Sequence, residues 1–269
     1  LDSFGEEVEV VYHLGGITSS IESDVESIIE SNHNFPLLLW RWCAEAGVRF
    51  IYGSSAEVYG AGDNGFDDVD DLEYLRKLRP LNPNGWSKKL LDMHISAAKS
   101  RGEKVPPQWV GLRFFNLYGP NEYHKGDSRS VALKIFEEAA KGVPVKLFKS
   151  ANKNYPDGGQ LRDFMYVADA VNMLEWFLDT PDVNGVFNAG TGTARSFNEL
   201  ANAVFAALGK QPQIKYIDMP SGVEHQYQYK TEANIKRLRN IGYDRPILTL
   251  EQGVADYIQN YLNKPDQYL

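Results

Sequence analysis

The 269-residue chain contains a single cysteine, Cys43, so an internal disulfide is excluded. Cys43 stands at helical spacing in an apolar segment, which favours a buried, inert thiol over a nucleophile. No apolar run approaches the roughly 20 residues that a membrane-spanning helix needs, and no secretory signal pattern opens the chain. These absences predict a cytoplasmic protein with no membrane partner.

Basic residues are also in the minority, with 28 lysines and arginines against 36 aspartates and glutamates, for a net charge of −8. No basic stripe is present, which argues against a nucleic-acid partner. The five histidines are scattered without metal-ligand spacing, so we predict no metal site. The length fits one large α/β domain or two lobes that share a core.

The chain lacks the G-x-G-x-x-G turn that opens many dinucleotide-binding folds. Residues 8–16 instead predict a strand that ends in a glycine turn, where Gly15 and Gly16 let the backbone approach a ligand closely. An ordinary strand-to-helix turn is the equally weighted alternative. If the fold is a doubly wound nucleotide fold, its first βα units are missing from this sequence. Either the gene product is truncated or the sequence omits residues before Leu1, and we favour the second explanation.

The segment between Ser54 and Lys88 carries the strongest chemical signals. The apolar run at 48–52 predicts a buried parallel strand, which would deliver Ser54 and Ser55 to the carboxyl end of the sheet, where open α/β sheets bind ligands. Lys88 falls in the first turn of the next predicted helix. A serine hydroxyl and the Lys88 ammonium in one crevice are suited to a reaction in which a proton is transferred while a cofactor accepts or donates hydride.

Helical periodicity extends from residue 20 to 46, with Ile21 on its apolar face, and Pro36 is expected to begin or kink the second helix. Asn32 lies between the two helices. Capping is the more frequent use of asparagine there, and a hydrogen bond to a strand near the cofactor is the alternative. Near the end of the chain, residues 231–239 predict a further helix.

Two later segments offer groups for a polar ligand. Asn116 falls at the carboxyl end of a second buried strand, where its amide would orient a sugar or a phosphate. Arg162 opens a strand, and its guanidinium suits bidentate binding of a diphosphate. The equally weighted alternative for Arg162 is an ion pair with Asp163 or Asp169.

In their order and spacing, these signals resemble the extended short-chain dehydrogenase/reductase family, which acts on nucleotide sugars, and the resemblance covers essentially the whole chain. The matching motifs are Ser54-Ser55-x-x-Val58-Tyr59-Gly60, Ser87-Lys88, Arg113-Phe114-Phe115-Asn116-Leu117-Tyr118-Gly119-Pro120, Arg162-Asp163-Phe164-x-Tyr166-Val167-x-Asp169 and Phe187-Asn188-x-Gly190-Thr191-Gly192. Narrower signals resemble the branch of the family that epimerises ADP-heptose at heptose carbon 6; they are residues 119–126, 147–150 and 225–231.

The resemblance implies an α/β fold with a Rossmann-like doubly wound parallel sheet and a smaller C-terminal substrate-binding lobe. The cofactor domain would comprise 1–117 plus 161–192, and the lobe 118–160 plus 193–269. A bound NADP or NAD, an ADP-sugar substrate and a homo-oligomer are also implied. The choice between NADP and NAD stays open.

The resemblance also implies residue roles. In the family, Ser55 would hydrogen-bond the reacting oxygen, Lys88 would bind the nicotinamide ribose, and Lys125 would handle protons on one face of the sugar. The implied catalytic set is Ser55, Asn84, Lys88 and Lys125. The implied cofactor set is Leu14, Gly15, Gly16, Ile17, Thr18, Asn32, Lys88, Leu117 and Lys125. The implied substrate set is Asn116, Asp127, Lys134, Phe148, Lys149, Ser150, Ala151, Arg162 and Tyr227.

Asn84 stands where the family carries its second proton-handling group, a tyrosine four residues before Lys88. A carboxamide does not ionise near neutral pH, so Asn84 cannot act as general acid or base. Three interpretations follow: a deliberate replacement that traps a complex, an enzyme that relies on Lys125 alone, or a binding protein without catalysis. Glu57 offers a fourth, because a nucleotide-sugar 4,6-dehydratase or 4-epimerase would use it as a base. A tolerated surface substitution is the preferred interpretation of Glu57.

Overall fold

The structure of the protein is a computed structural model that describes residues 7–18, 22, 24–220 and 227–268. The strands are β1 (Val10–His13), β2 (Arg49–Ser55), β3 (Trp109–Phe114), β4 (Asn116–Tyr118), β5 (Val145–Phe148), β6 (Leu161–Arg162), β7 (Phe164–Tyr166), β8 (Gly185–Ala189), β9 (Arg195–Ser196) and β10 (Ile214–Ile217). The α-helices are α1 (Val25–Ile29), α2 (Phe35–Ala46), α3 (Leu72–Lys77), α4 (Pro83–Ser100), α5 (Val131–Ala140), α6 (Val167–Asp179), α7 (Phe197–Ala207), α8 (Lys236–Asn240) and α9 (Leu250–Tyr257).

The chain forms two compact units. The first comprises Leu1–Phe114, Met173–Ala189 and Asn234–Asp244, and the second comprises Phe115–Asn172, Gly190–Ala233 and Arg245–Leu269. Our sequence-based division instead gave 161–192 to the cofactor domain and placed everything after 193 in the lobe. The boundary between the units falls inside α6, whose second half belongs to the first unit. Our sequence-based division placed its boundaries between secondary-structure elements and therefore differs from the observed one.

The first unit is built on a parallel sheet with strand order β1-β2-β3-β8. Successive residues of a strand point to opposite faces, and both faces of this sheet are covered. Val186 belongs to a core that α2 and α4 share with β2 and β3. The next residue, Phe187, packs against Phe177 of α6 with ring centroids 5.2 Å apart. The predicted doubly wound parallel sheet is confirmed.

The helices α1 and α2, which follow β1, are joined directly by a π-helical turn. Asp24 caps α1 by accepting a hydrogen bond from Ser27 N. A π-helical turn, Glu30–Asn34, follows, and α2 begins directly after it with Pro36 in its first turn, where a missing N–H costs nothing. Proline therefore begins the second helix, as predicted. The predicted apolar residue Ile21 lies outside the described residues.

The strand–turn–helix segment from β2 to α4 positions most of the polar groups discussed below. After β2 the chain makes a 3₁₀ turn at Ala56–Tyr59, and Ser55 caps it by accepting a hydrogen bond from Glu57 N. Asn82 caps α4 by accepting from Gly85 N, and Pro83 occupies the first helical position. Lys88 therefore lies near the N-terminus of a helix whose entry is fixed by two local signals.

The second unit is built from short strand pairs and helices around its own core. β4 pairs with β7 and β5 with β10, both parallel, while β6 pairs with β9 in antiparallel fashion. Residues of α5, α7 and α9 pack with these strands in one apolar cluster. Ser196 and Glu199 form the predicted capping box at the start of α7.

The helix predicted at 231–239 is wrong in its first half, since α8 begins only at Lys236. Residues before it form other backbone hydrogen bonds: Thr231 N donates to Leu161 O, and Ala233 N donates to the Asp163 carboxylate. These long-range contacts replace helical bonds in that stretch. Among the described residues, no helix combines the length and the apolar character that crossing a membrane requires.

Candidate active site

Lys88 is the centre of the polar cluster in the first unit. Its side chain is buried, and Nζ donates a 2.9 Å hydrogen bond to the carbonyl of Gly53 near the carboxyl end of β2. Burial lowers the pKa of Lys88 to about 8, while the charge of Asp92 acts in the opposite direction. The predicted position of Lys88 beside the end of this strand is confirmed.

Asn32 is fully buried in the π-helical turn and joins three segments of the first unit. Its Oδ1 accepts from Ile17 N at 2.9 Å, and its Nδ2 lies 2.8 Å from Ile17 O. The same Nδ2 is within 3.1 Å of both Asn84 Oδ1 and Ser87 Oγ. The preferred interpretation of Asn32 as a cap is therefore wrong, and so is the alternative of a hydrogen bond to a strand, because its partners lie in the loop after β1 and in α4.

Gly16 lies directly against this cluster. Its φ is +149°, and a Cβ added there would meet Asn32 Oδ1 at 2.5 Å and Lys88 Nζ at 3.4 Å. A side chain at position 16 would fill the space in front of the lysine, which is the space that a bound cofactor edge needs. Gly16, Ile17, Asn32 and Lys88 are thus brought together as predicted, while Leu14, Gly15 and Thr18 are exposed around them.

Asn84 and Glu57 form a direct pair at the edge of the same cluster. Asn84 is buried, and its Nδ2 donates to Glu57 Oε2 at 2.6 Å. Glu57 follows Ser55, whose Oγ accepts a 3.1 Å hydrogen bond from Glu57 N. Burial raises the pKa of Glu57, opposed by hydrogen bonds from Asn84 and Asn82. The surface interpretation of Glu57 is wrong, because its carboxylate has a buried partner.

A buried ionic network supports β2 and was missed in the sequence. Arg113 and Asp92 form an ion pair with Nε 3.0 Å from Oδ2, and both side chains are fully buried. Asp92 also accepts from Tyr52 and Ser54, while Arg113 donates to Tyr59 Oη at 2.9 Å. The motif Arg113–Pro120 was recognised, but nothing local indicates that its arginine pairs with a helix residue 21 positions earlier.

In the second unit, Arg162 is a buried cation with unusual surroundings. Its guanidinium carbon lies 5.1 Å from the ring centre of Tyr227 and 5.7 Å from that of Phe197. One nitrogen donates to the carbonyl of Leu161 at 2.8 Å. Within the described part of the chain no carboxylate forms an ion pair with it, and burial lowers the pKa of Arg162. The alternative of an ion pair with Asp163 or Asp169 is wrong.

Asp163 serves the backbone instead. Its carboxylate accepts from the N–H groups of Thr191, Gly192 and Ala233 and from the Thr191 hydroxyl, at 2.7–3.0 Å. Asp169 accepts from Leu248 N at 3.1 Å. Both acids are therefore occupied in holding loops of the second unit, which leaves the Arg162 charge available to a ligand.

The other predicted substrate residues of the second unit lie on its polar loops. Lys134 Nζ donates to the carbonyl of Asp127 at 2.6 Å, and Lys149 pairs with Asp218 at 2.9 Å. Asn116 is exposed at the start of β4, with Oδ1 3.5 Å from Thr231 Oγ1. The segment from Phe148 to Ala151 follows β5, where Ser150 Oγ donates to Asn152 O and Ala151 N donates to Tyr229 Oη.

The predicted catalytic residues divide between the units. Ser55, Asn84 and Lys88 belong to the first, and Lys125 belongs to the second, where it is exposed in the 3₁₀ segment Tyr123–Ser128. Leu117 is half-buried in β4. The roles assigned to these residues stay predictions. Cys43 is fully buried, and burial raises the pKa of its thiol to about 12, in agreement with an inert cysteine.

The parallel sheet, the glycine turn after β1 and the lysine at the carboxyl end of β2 define an α/β protein with a nucleotide-type ligand site. The sequence profile of the NAD dependent epimerase/dehydratase family matches residues 1–190. A relative from Fusobacterium nucleatum subsp. nucleatum, named ADP-L-glycero-D-manno-heptose-6-epimerase, is 42% identical over 268 residues, covering 97% of this chain and 80% of its own length. The chain belongs to the NAD dependent epimerase/dehydratase family.

Solved structures agree with this assignment. The Helicobacter pylori ADP-L-glycero-D-manno-heptose-6-epimerase superposes with a TM-score of 0.75 at 26% identity, covering 96% of this chain and 74% of that one. The Thermus thermophilus UDP-glucose 4-epimerase, solved in complex with NAD, gives a TM-score of 0.74 at 25% identity, with 96% and 79% covered.

Proposed function

We propose that the chain is an epimerase that converts ADP-D-glycero-D-manno-heptose to ADP-L-glycero-D-manno-heptose by inverting heptose carbon 6. The observation that carries this proposal is the cluster of Gly16, Asn32 and Lys88 at the carboxyl end of the first unit's sheet. The name of the Fusobacterium relative, which aligns over nearly the whole chain, supports the choice of ADP-heptose as substrate.

The residues present fit a nicotinamide dinucleotide. Gly16 leaves open the space in front of Lys88 that a Cβ would fill, and Asn32 holds the segment around Ile17 in place. When bound, the cofactor supplies a reversible acceptor for hydride. Lys88 would hold the nicotinamide ribose, and its buried ammonium favours the ionised form of a neighbouring acid. The Thermus thermophilus UDP-glucose 4-epimerase was solved in complex with NAD, and we propose NAD or NADP here.

In the second unit, Arg162 is suited to the diphosphate of the substrate. A buried guanidinium without a carboxylate partner among the described residues favours binding of an anion, because the ligand then compensates the buried charge. A guanidinium presents its donors in a planar fork that matches phosphate oxygens. We propose that Tyr227, stacked on Arg162, and the 148–151 segment complete the ADP-sugar site with Asn116, Asp127 and Lys134.

Inversion through a ketone requires proton transfer on both faces of the sugar carbon. We propose that Lys125 serves one face and that Ser55 hydrogen-bonds the reacting oxygen. Asn84 cannot serve the other face by ionisation. The family further implies a homo-oligomer in the cytoplasm, which we include in the proposal; light scattering of the purified protein tests the assembly.

Direct assay tests the proposal. The purified protein, loaded with NAD or NADP, is incubated with ADP-D-glycero-D-manno-heptose, and the two epimers are separated by anion-exchange chromatography and assigned by proton NMR. We expect a mixture of the two epimers from either starting compound. The proposal fails if neither the protein nor its Asn84→Tyr variant converts the substrate while calorimetry shows that both cofactor and ADP-heptose bind.

The Glu57 carboxylate, which is half-buried and bound to Asn84, favours a second candidate, a nucleotide-sugar 4,6-dehydratase. Such an enzyme would eliminate water from a hexose and leave a keto sugar. Incubation with UDP-glucose, dTDP-glucose and GDP-mannose, followed by mass spectrometry, separates the candidates. A product lighter than its substrate by one water supports the dehydratase, and an unchanged mass for all three sugars opposes it.

A further inference from the structure

Glu57 is in direct contact with two of the predicted catalytic residues, Ser55 and Asn84. It lies two residues after Ser55, in the turn that leaves the carboxyl end of β2, and its own N–H is fixed on the Ser55 hydroxyl. Its carboxylate accepts from Asn84, the residue in the position of the family's tyrosine. The side chain is half-buried, so the carboxylate is shielded but still accessible.

The surroundings of Glu57 differ from those of the buried acids Asp92 and Asp163. Asp92 is paired with Arg113, and Asp163 is saturated by three backbone N–H groups and a hydroxyl. Glu57 forms no ion pair within the described ranges and is held by the carboxamides of Asn84 and Asn82. Burial raises its pKa. A carboxyl with these surroundings takes up a proton more readily than an ion-paired one, because no nearby cation stabilises its charged form.

We propose that Glu57, oriented by Asn84, is the acid–base group that replaces the tyrosine of the family in this chain. Glu57 would take the proton of the heptose 6-hydroxyl when the C6–H bond is broken, and the bound nicotinamide would supply the hydride acceptor. Glu57 would give that proton back to the oxygen when the same hydride is returned to the opposite face of the ketone, so no other oxidant or reductant is needed. This inference rests on the proposed epimerase function.

Asn84 is a positioning residue in this scheme. Its Nδ2 donates to Glu57, and its Oδ1 lies 3.1 Å from the buried Asn32 amide, which fixes the orientation of the carboxamide. A tyrosine at position 84 would bring its own hydroxyl into the site. The two residues at positions 57 and 84 are therefore expected to be exchangeable as sources of the titrating group.

The test combines three variants of the cofactor-loaded protein: Glu57→Gln, Asn84→Tyr and the double variant. We expect Glu57→Gln to lower kcat by about 10²–10⁴-fold, the usual contribution of a general acid–base group. We expect the double variant to recover most of that loss, because the tyrosine restores an ionisable group beside Lys88. Glu73→Gln is the matched control, since Glu73 is an exposed helix residue with 84% of its side chain accessible, and should leave kcat unchanged.

The pH profile separates a chemical role from a structural one. The unsubstituted protein should lose kcat/KM on the acid side, as Glu57 becomes protonated, at a pH above the ordinary carboxyl value of 4.5. Glu57→Gln should lack this limb. Thermal unfolding of each variant checks that the lost activity does not come from a lost fold.

Each outcome decides between the inference and the proposed function. Unchanged kcat in Glu57→Gln overturns the inference and leaves the epimerase intact. An inactive parent with an active Asn84→Tyr variant also overturns the inference, because Glu57 then does not suffice, while the epimerase assignment of the site stands. If all forms are inactive yet bind cofactor and ADP-heptose, the proposed function fails and the inference with it.

Discussion

Two buried arginines, one in each unit, show opposite ways of keeping a guanidinium away from water. Arg113 in β3 is paired with Asp92 and donates to Tyr59. Burial disfavours its charge, but the neighbouring Tyr59 and Asp92 outweigh burial and raise its pKa. Arg162 in β6 is stacked on Tyr227 and Phe197, and burial lowers its pKa. The first charge is compensated by Asp92, whereas the second has no carboxylate partner among the residues that the structure describes.

The difference indicates what each arginine is for. A buried cation is costly unless an anion compensates it. In the first unit the anion is an aspartate on a helix, so the pair holds β3 against α4 and stabilises the fold. In the second unit, the described partners of Arg162 are two aromatic rings and the carbonyl of Leu161, none of which carries a negative charge. This arrangement favours binding of an anionic ligand by Arg162. The following variants test this contrast, from the largest expected effect to the smallest.

Asp92→Asn should be the most damaging change. It keeps the shape of the side chain but leaves the Arg113 charge buried without its counterion. Breaking a buried pair in this way costs about 3–5 kcal/mol. Urea denaturation followed by circular dichroism measures the free energy of unfolding. A loss below about 1 kcal/mol, as expected for exposed pairs such as Lys77–Glu73, would contradict the structural role of the network.

Lys88 offers an intermediate case, a buried cation that can lose its charge. Its pKa is about 8 in the folded protein against an ordinary 10.5. Between these values the unfolded chain binds more protons, so stability should rise with pH from about 8 to about 10.5. The gain is on the order of 3 kcal/mol. Comparing the pH dependence of unfolding with that of Lys88→Met isolates this contribution, and identical slopes would contradict it.

Arg162→Met should affect binding and leave stability nearly unchanged. The substitution removes an uncompensated charge from the second unit but also the cation that we assign to the diphosphate. We expect the Kd for ADP to rise about 30-fold, or roughly 2 kcal/mol. Isothermal calorimetry measures the affinity, and Lys146→Met, at an exposed lysine with 59% of its side chain accessible, is the control. If Arg162→Met unfolded at a much lower urea concentration than the unsubstituted protein and kept its affinity for ADP, our contrast between the two arginines would be wrong.

Tyr227→Leu should give the smallest effect. It preserves an apolar contact on Arg162 and removes the face of the aromatic ring. A cation–π contact of this kind contributes about 0.5–2 kcal/mol, so the Kd for ADP should rise several-fold. The same calorimetric titration measures it. An effect as large as that of Arg162→Met would show that Tyr227 contacts the nucleotide directly.

Local signals in the sequence were enough to place much of the first unit. The apolar run before Ser54 and the Asn82–Pro83 start of α4 are short-range patterns, and they correctly placed Lys88 at the carboxyl end of β2. The parallel sheet and the start of α2 at Pro36 were equally predictable. Each depends on residues within a few positions of one another.

Long-range partners were not predictable. Asp163 was considered as a counterion for Arg162, yet it binds backbone groups at 191, 192 and 233, and no spacing rule connects those positions. The Arg113–Asp92 pair was missed for the same reason. Asn32 was misassigned because the sequence does not reveal a π-helical turn, and that turn decides which way the side chain points.

The turn Glu30–Asn34 also sets a limit on how this chain can vary in length. A helix advances by about 100° per residue, and π turns insert one extra residue into a helix. Deleting Ser31 would restore α-helical phase and move Asn32 out of register with Ile17 and Ser87. A deletion of one residue would thereby break the buried hydrogen bonds of Asn32 to Ile17, Asn84 and Ser87. The apolar contacts of α2 with the sheet would remain.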